Sequence, residues 1–118
     1  MGGGVLTGKY DDEWFSNVPG GLNPIRSKST RVRWYQKNCK PVIHSVRDVA
    51  ERRGKTPAQV AINWSICKGV IPLCAARDVN QALEAIGAGG WRLSESEIKE
   101  LDEASNNSEE YAMGFELI

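Results

Sequence analysis

The 118-residue sequence contains a single histidine and three cysteines. His44 therefore has no second imidazole with which to complete a metal ligand set. Cys39, Cys67 and Cys74 are odd in number and far apart, with no Cys-x-x-Cys pair. That pattern argues against a disulfide framework and fits reduced thiols in an intracellular, soluble protein, with cytoplasm and plastid not distinguished. No charge of either sign prevails: 15 basic residues balance 15 acidic ones. A partner with a nucleic-acid backbone is thus not expected. No apolar run approaches the ~20 residues of a membrane span, so no membrane partner is expected either. No signal-peptide pattern of basic start, apolar run and small-residue cleavage site appears. The opening "MGGGVL" puts Leu6 where a myristoylation signal needs Ser or Thr. Solenoid repeats are missing too. The length suits one ordinary domain.

Three regions follow from local composition. Residues 1–38 read as irregular, because "NVPGGLNPIRSKSTRVRW" is rich in Pro, Gly, Ser and Arg. Residues 39–105 carry helical patterning, and residues 106–118 form an acidic tail without a clear period. Within the middle region, Val42, Val46, Val49 and Ala50 fall on one helical face. Pro41 suits the first turn of that helix, and Arg52, Arg53 and Gly54 suit its end. In "TPAQVAINWSICKG", Thr56 is an N-cap, Pro57 fits the first helical position and Gln59 completes a capping box. Val60, Trp64 and Cys67 form its stripe. "VIPL" follows as a short apolar run consistent with a strand buried on both faces. Asp78 caps a third helix, in which Val79, Ala82, Leu83 and Ile86 share a face. Ser94 and Glu97 box a fourth, with Leu93 and Ile98 as its hydrophobic staple. The spacing thus predicts helices near 41–53, 57–67, 78–87 and 95–104, with at most one short strand near 70–73.

Helix–strand–helix order belongs to an α/β protein. A lone strand needs neighbours for its backbone groups, so the chain reads as a slice of a larger α/β fold. Four amphipathic helices packed as a small bundle are the other arrangement this pattern allows.

"GGGVLTGKY" has nearly the spacing of a phosphate loop, with Gly3, Gly8 and Lys9. Tyr10 stands where that loop needs a small hydroxyl to ligate magnesium. No strand-length apolar run precedes the stretch and no helical pattern follows it, so it is not a Walker A motif.

"GVLTGKY", "GKTPAQVAINWSICKGVIPL" and "AARDVNQALEAIGAGGWRLSESEIKELD" occur in the order in which similar stretches close the aldo/keto reductases. The chain resembles the C-terminal part of that family from Gly3 to about Ala104. The resemblance is strongest to its potassium-channel β-subunit-like and plant and algal oxidoreductase branch. It implies a C-terminal fragment of a (β/α)8 TIM barrel, mostly helical as an isolated chain. "VIPL" would be the eighth strand and "GVLTGK" would follow the seventh, at the end of the barrel where sites lie. With Met1 directly before that loop, the expected status is a truncated reductase or an incomplete gene model.

The resemblance also implies a cofactor, NADP, with NAD as the other possibility. Carried over residue by residue, Gly4, Val5, Leu6 and Lys9 would follow the pyrophosphate, with Arg26 joining them from the long loop. Ala75, Ala76, Arg77, Gln81 and Glu84 would form a second cluster after "VIPL". A helix N-terminus offers free N–H groups and a positive dipole end independently of any family, and an arginine beside it can pair bidentately with a phosphate. Lys9 and Arg77 as solvated surface residues are the plain alternative.

Ala75, Ala85 and Asp78 depart from the Gly, Asn and Asn common in the family, which bears on the choice between NADP and NAD. The family's catalytic Tyr, Lys, Asp and His belong to the first half of the barrel, and no catalytic residue is assigned here. Tyr35, Lys37 and His44 lack the surrounding motifs. The expectation is a partial NADP-dependent oxidoreductase domain, inactive alone, whose full-length form would reduce a small carbonyl substrate. A non-catalytic nucleotide-binding or protein-interaction remnant is the other reading.

Overall fold

The computed structural model describes residues 6–8 and 39–107. Four helices form among them: α1 (Lys40–Arg53), α2 (Pro57–Cys67), α3 (Val79–Ile86) and α4 (Glu95–Asn106). Each agrees with its expected span to within two residues, because the signals that start and stop it are local. α1 ends in a Schellman motif. The Lys55 N–H reaches the Ala50 carbonyl at 2.9 Å and the Gly54 N–H reaches Glu51 at 3.2 Å. Gly54 makes this possible at φ 61°, a left-handed conformation that a Cβ would strain. α2 begins with the expected box: Gln59 N–H donates to Thr56 Oγ1, and Thr56 N–H donates to Gln59 Oε1. α4 begins the same way with Ser94 and Glu97. Each such cap supplies partners to helix-end amides that would otherwise have none.

α1 lies at the centre of the packing, with α2 and α4 against it, and α3 packs on α2. The core joins Val42, Val46, Val49 and Ala50 of α1 to Val60 of α2 and Leu101 and Ala104 of α4, with Leu93 closing it. Trp64, Cys67, Trp91 and Ile98 pack around these. Burial of such side chains contributes roughly 1.5–3 kcal/mol for each large one. Polar links lock the same helices. Arg53 grips Glu97 through Nε and Nη2 at 2.6–3.1 Å, and Arg52 pairs with Glu100 at 2.6 Å. Trp64 Nε1 and Lys68 Nζ both donate to the Asp102 carboxylate.

"VIPL" does not form the expected strand, and among the described residues there is none. A strand exists through ladder bonds to a neighbour. Here the Val70 N–H turns back to the Ser65 carbonyl, and Pro72 has no N–H to give. Far from being buried on both faces, Ile71 is 87% exposed and Leu73 96%. The same surface continues on α3, where no residue is buried. Its predicted apolar face exists as a face, but Val79, Leu83 and Ile86 all lie open to solvent.

Candidate functional site

The head of α3 is built by two side-chain bonds. Asp78 caps the helix, its Oδ1 accepting the Gln81 N–H at 2.9 Å. Gln81 Oε1 in turn accepts the Arg77 N–H at 2.9 Å, fixing the approach of the chain to the helix. Among the described residues, the N–H groups of Val79 and Asn80 receive no partner. Exposed Arg77 thus directly precedes a helix end that offers two amides and the positive end of the helix dipole. The Asp78 carboxylate occupies part of that end. Ala75 and Ala76 precede it as exposed backbone. Gln81 and Glu84 are half-buried, one turn apart on α3.

The other cluster is only partly visible. Gly4, Val5, Lys9 and Arg26 lie outside the described residues, as do Tyr35 and Lys37. Leu6 packs against the core. Two residues on, the Gly8 carbonyl oxygen accepts from Arg47 Nη2 of α1 at 3.0 Å. Gly8 takes φ 71°, and a Cβ there would come within 2.9 Å of Arg47 Nε. Arg47 thus seats the loop on α1, and it was not among the expected site residues. The structure gives the two clusters different supports: α1 and the core hold Leu6–Gly8, whereas α2 holds α3.

That second support rests on two α2 side chains whose role the apolar pattern does not announce. Gln59, already part of the cap, also donates from Nε2 to the Glu84 carbonyl at 3.1 Å. Gly87 leaves room for it, since a Cβ at that position would collide with Gln59 Nε2. Asn63 is fully buried. Its Nδ2 donates to the Ala88 and Trp91 carbonyls at 2.9 and 2.8 Å, and its Oδ1 accepts the Leu93 N–H at 3.1 Å. The segment between α3 and α4 is therefore held by one amide. The signal was present: a polar residue among the apolar positions of "VAINW".

Other chemistry-bearing side chains stand apart. His44 is exposed on α1. Cys39, Cys67 and Cys74 are free thiols, the last of them exposed. Burial pushes the Cys39 thiol up from its ordinary value. Glu97 is held down to about 2, first by the hydrogen bonds from Arg53 and further by the Ser94 N–H. A groove of about 540 Å³ runs between α1 and α4, past Pro41, Ser45, Lys99 and Glu103. None of Leu6, Ala75, Ala76, Arg77, Gln81 or Glu84 borders it. No helix among the described residues is long and apolar enough to cross a membrane.

Known proteins are similar to this sequence. Over 108 residues the chain is 36% identical to a chloroplastic pyridoxal reductase of Arabidopsis thaliana, an alignment covering 92% of this chain and 27% of that protein. It is 28% identical over 113 residues to the NADP(+) aldo-keto reductase yakc of Schizosaccharomyces pombe, covering 92% of this chain and 32% of that one. A shorter match, 33% over 54 residues, joins it to the NAD(P)H-dependent D-xylose reductase xyl1 of Aspergillus niger, covering 46% and 17%. The chain thus spans about a third or less of the length of these relatives. No solved structure matches it. Residues 1–106 match the aldo/keto reductase family, and the chain belongs to that family.

Proposed function

We propose that this chain carries part of the NADP-binding surface of an aldo/keto reductase barrel and none of its catalytic tetrad. The observation that carries this reading is the head of α3, where exposed Arg77 directly precedes a helix start whose first two N–H groups have no described partners. A 2′-phosphate is a dianion with acceptor oxygens on every side. It suits a planar guanidinium and helix-end amides together. Arg77 holds that phosphate, and the backbone of Ala75 and Ala76 lines its approach. Gln81 positions Arg77 through its bond to the Arg77 N–H, and Glu84 lies on the adenosine side. Gly4, Val5, Leu6, Lys9 and Arg26 follow the pyrophosphate. The names of relatives from three organisms, which specify NADP(+), NAD(P)H or a reductase activity, support the cofactor class.

Bound NADPH supplies a hydride to a carbonyl carbon. The proton that must reach the carbonyl oxygen requires a positioned acid. No described residue is assigned that role; His44 is exposed on α1 with no described contact to the α3 residues. In a complete barrel, residues 70–73 would find the neighbouring strands they lack here, and those strands would cover Ile71 and Leu73. The 118-residue chain alone is then a binding surface without turnover. Mixing it with NADPH and a broad panel of aldehydes and ketones tests this. No oxidation above a heat-killed control is expected. Turnover that disappears on Tyr35→Phe contradicts the reading.

A further inference from the structure

We infer that Gln59 is a positioning residue for the cofactor: from α2 it sets the direction of α3, and so the placement of Arg77, Gln81 and Glu84. This role rests on the reading of α3 as a cofactor surface. Its physical basis lies at the far end of that helix. A helix leaves its last carbonyls without intrahelical donors. Here the Leu83, Ala85 and Ile86 carbonyls accept the N–H groups of Gly87, Ala88 and Gly89 at 3.0–3.1 Å. That tightened turn passes over Glu84, because the Ala88 N–H goes to Ala85 instead. Gln59 Nε2 supplies the missing donor, reaching the Glu84 carbonyl at 3.1 Å.

The residue types fit this bond. Gln59 is the third helical residue of the α2 capping box. Glu serves there as well as Gln, since the box needs only an acceptor. The Gln59 oxygen accepts the Thr56 N–H at 3.1 Å. The bond to Glu84 needs a donor on the same side chain, and an amide carries both where a carboxylate does not. Gly87 makes the space. Its φ of −65° is open to any residue, so backbone freedom is not why glycine stands there. A Cβ at that position would collide with Gln59 Nε2.

Asn63 makes the second rung. It lies four residues after Gln59, on the same face of α2. It donates to the Ala88 carbonyl, four residues after Glu84, at 2.9 Å. Each bond thus joins residues 25 apart in the chain. Two rungs, about 6 Å apart along α2 at 1.5 Å per residue, fix a direction, whereas one fixes a point. With Asn63 alone, α3 can turn about Ala88. The head of α3 is the end farther from that pivot, and it moves most. Gln81, one turn before Glu84, holds the Arg77 N–H, so a turn of α3 carries Arg77 with it. All of these partners lie within the chain itself, so the arrangement is independent of what covers the other side of α3.

Two substitutions remove the Gln59 rung in different ways. Gln59→Glu keeps the acceptor for Thr56, and so the start of α2, but at neutral pH its carboxylate brings no proton to Glu84. Gly87→Ala leaves Gln59 in the sequence and displaces it with a methyl group. By helix propensity alone alanine should steady this turn; loss of the rung predicts the reverse. Far-UV circular dichroism should show both variants helical. In the unliganded 118-residue chain, amide hydrogen exchange over residues 82–87 should quicken about twofold or more, with the α1 and α4 amides unchanged. NMR titration should show NADP and NAD each bound about two- to tenfold more weakly, the range of one ordinary hydrogen bond. Both cofactors weaken because the whole of α3 moves, whereas Arg77→Ala weakens NADP alone. Unchanged α3 exchange in Gln59→Glu, slower exchange there in Gly87→Ala, or equal quickening in every helix overturns the positioning role. Variants that bind both cofactors as the wild type does overturn it too, and leave the cofactor reading standing. A wild-type chain that binds neither cofactor overturns that reading together with the role built on it.

Discussion

Asn63 Nδ2 donates to the Ala88 carbonyl oxygen at 2.9 Å, binding the core of α2 to the chain just beyond α3. The same amide serves Trp91 and Leu93. Removing it strands two carbonyls and one N–H at a buried position. Asn63→Ala should therefore cost on the order of 3 kcal/mol or more, at about 1–3 kcal/mol for each buried group left unpaired. Urea unfolding checks the size. Asn63→Asp keeps the acceptor for Leu93 but turns a carboxylate toward two carbonyls. Its stability should rise as pH falls, because the protonated acid can donate to one of them. An Asn63→Ala loss below about 0.5 kcal/mol, the floor for a single ordinary hydrogen bond, would contradict this role.

Glu97 gives the fold an acid-sensitive clasp. Its folded-state pKa of about 2 lies below the ordinary 4.5 because Arg53 binds the carboxylate form. A depressed carboxylate pKa contributes stability that is complete above about 4.5 and is lost as pH falls through about 2. The melting temperature should thus fall across that window. Glu97→Gln should lower it by a few degrees at neutral pH and flatten the dependence between those values. An unchanged pH profile in Glu97→Gln would assign the acid sensitivity elsewhere, with Asp102 the next group to test. Its pKa is also lowered, first by Lys68 and then by Trp64.

Gly8 and Arg47 form a coupled pair. Gly8→Ala forces a side chain into a left-handed conformation, at about 1–2 kcal/mol, and into the Arg47 guanidinium. In an Arg47→Ala background only the backbone part remains. A double-mutant cycle by chemical denaturation should show that the two changes cost less together than their sum. Strict additivity would mean that the guanidinium moves aside without consequence.

The helices were legible because their signals are local. Thr56 with Gln59, Ser94 with Glu97, and Arg52-Arg53-Gly54 each specify an end of a helix through atoms a few residues apart. The valine spacing of α1 likewise gave its buried face. "VIPL" was misread because strand formation is not local. Four apolar residues become a strand only beside another strand, and none is present among the described residues. Asn63 escaped notice for a related reason. Its partners lie 25–30 residues ahead, beyond the reach of any helical period. At the head of α3, Asp78 and Gln81 were readable as a cap, whereas the bond from the Arg77 N–H to Gln81 required coordinates.

The cofactor surface can be tested most directly at Arg77, by NMR titration of NADP and NAD into the 118-residue chain and its Arg77→Ala variant. NMR suits the weak binding expected of a partial pocket. NADP should shift the amide signals of Val79 and Asn80, and Arg77→Ala should weaken it about ten- to a hundredfold. That corresponds to the roughly 1.5–3 kcal/mol of a hydrogen bond to a charged group. NAD lacks the 2′-phosphate and should bind both proteins alike. Equal weakening of the two cofactors, or no shift at the head of α3 with either, would contradict the account.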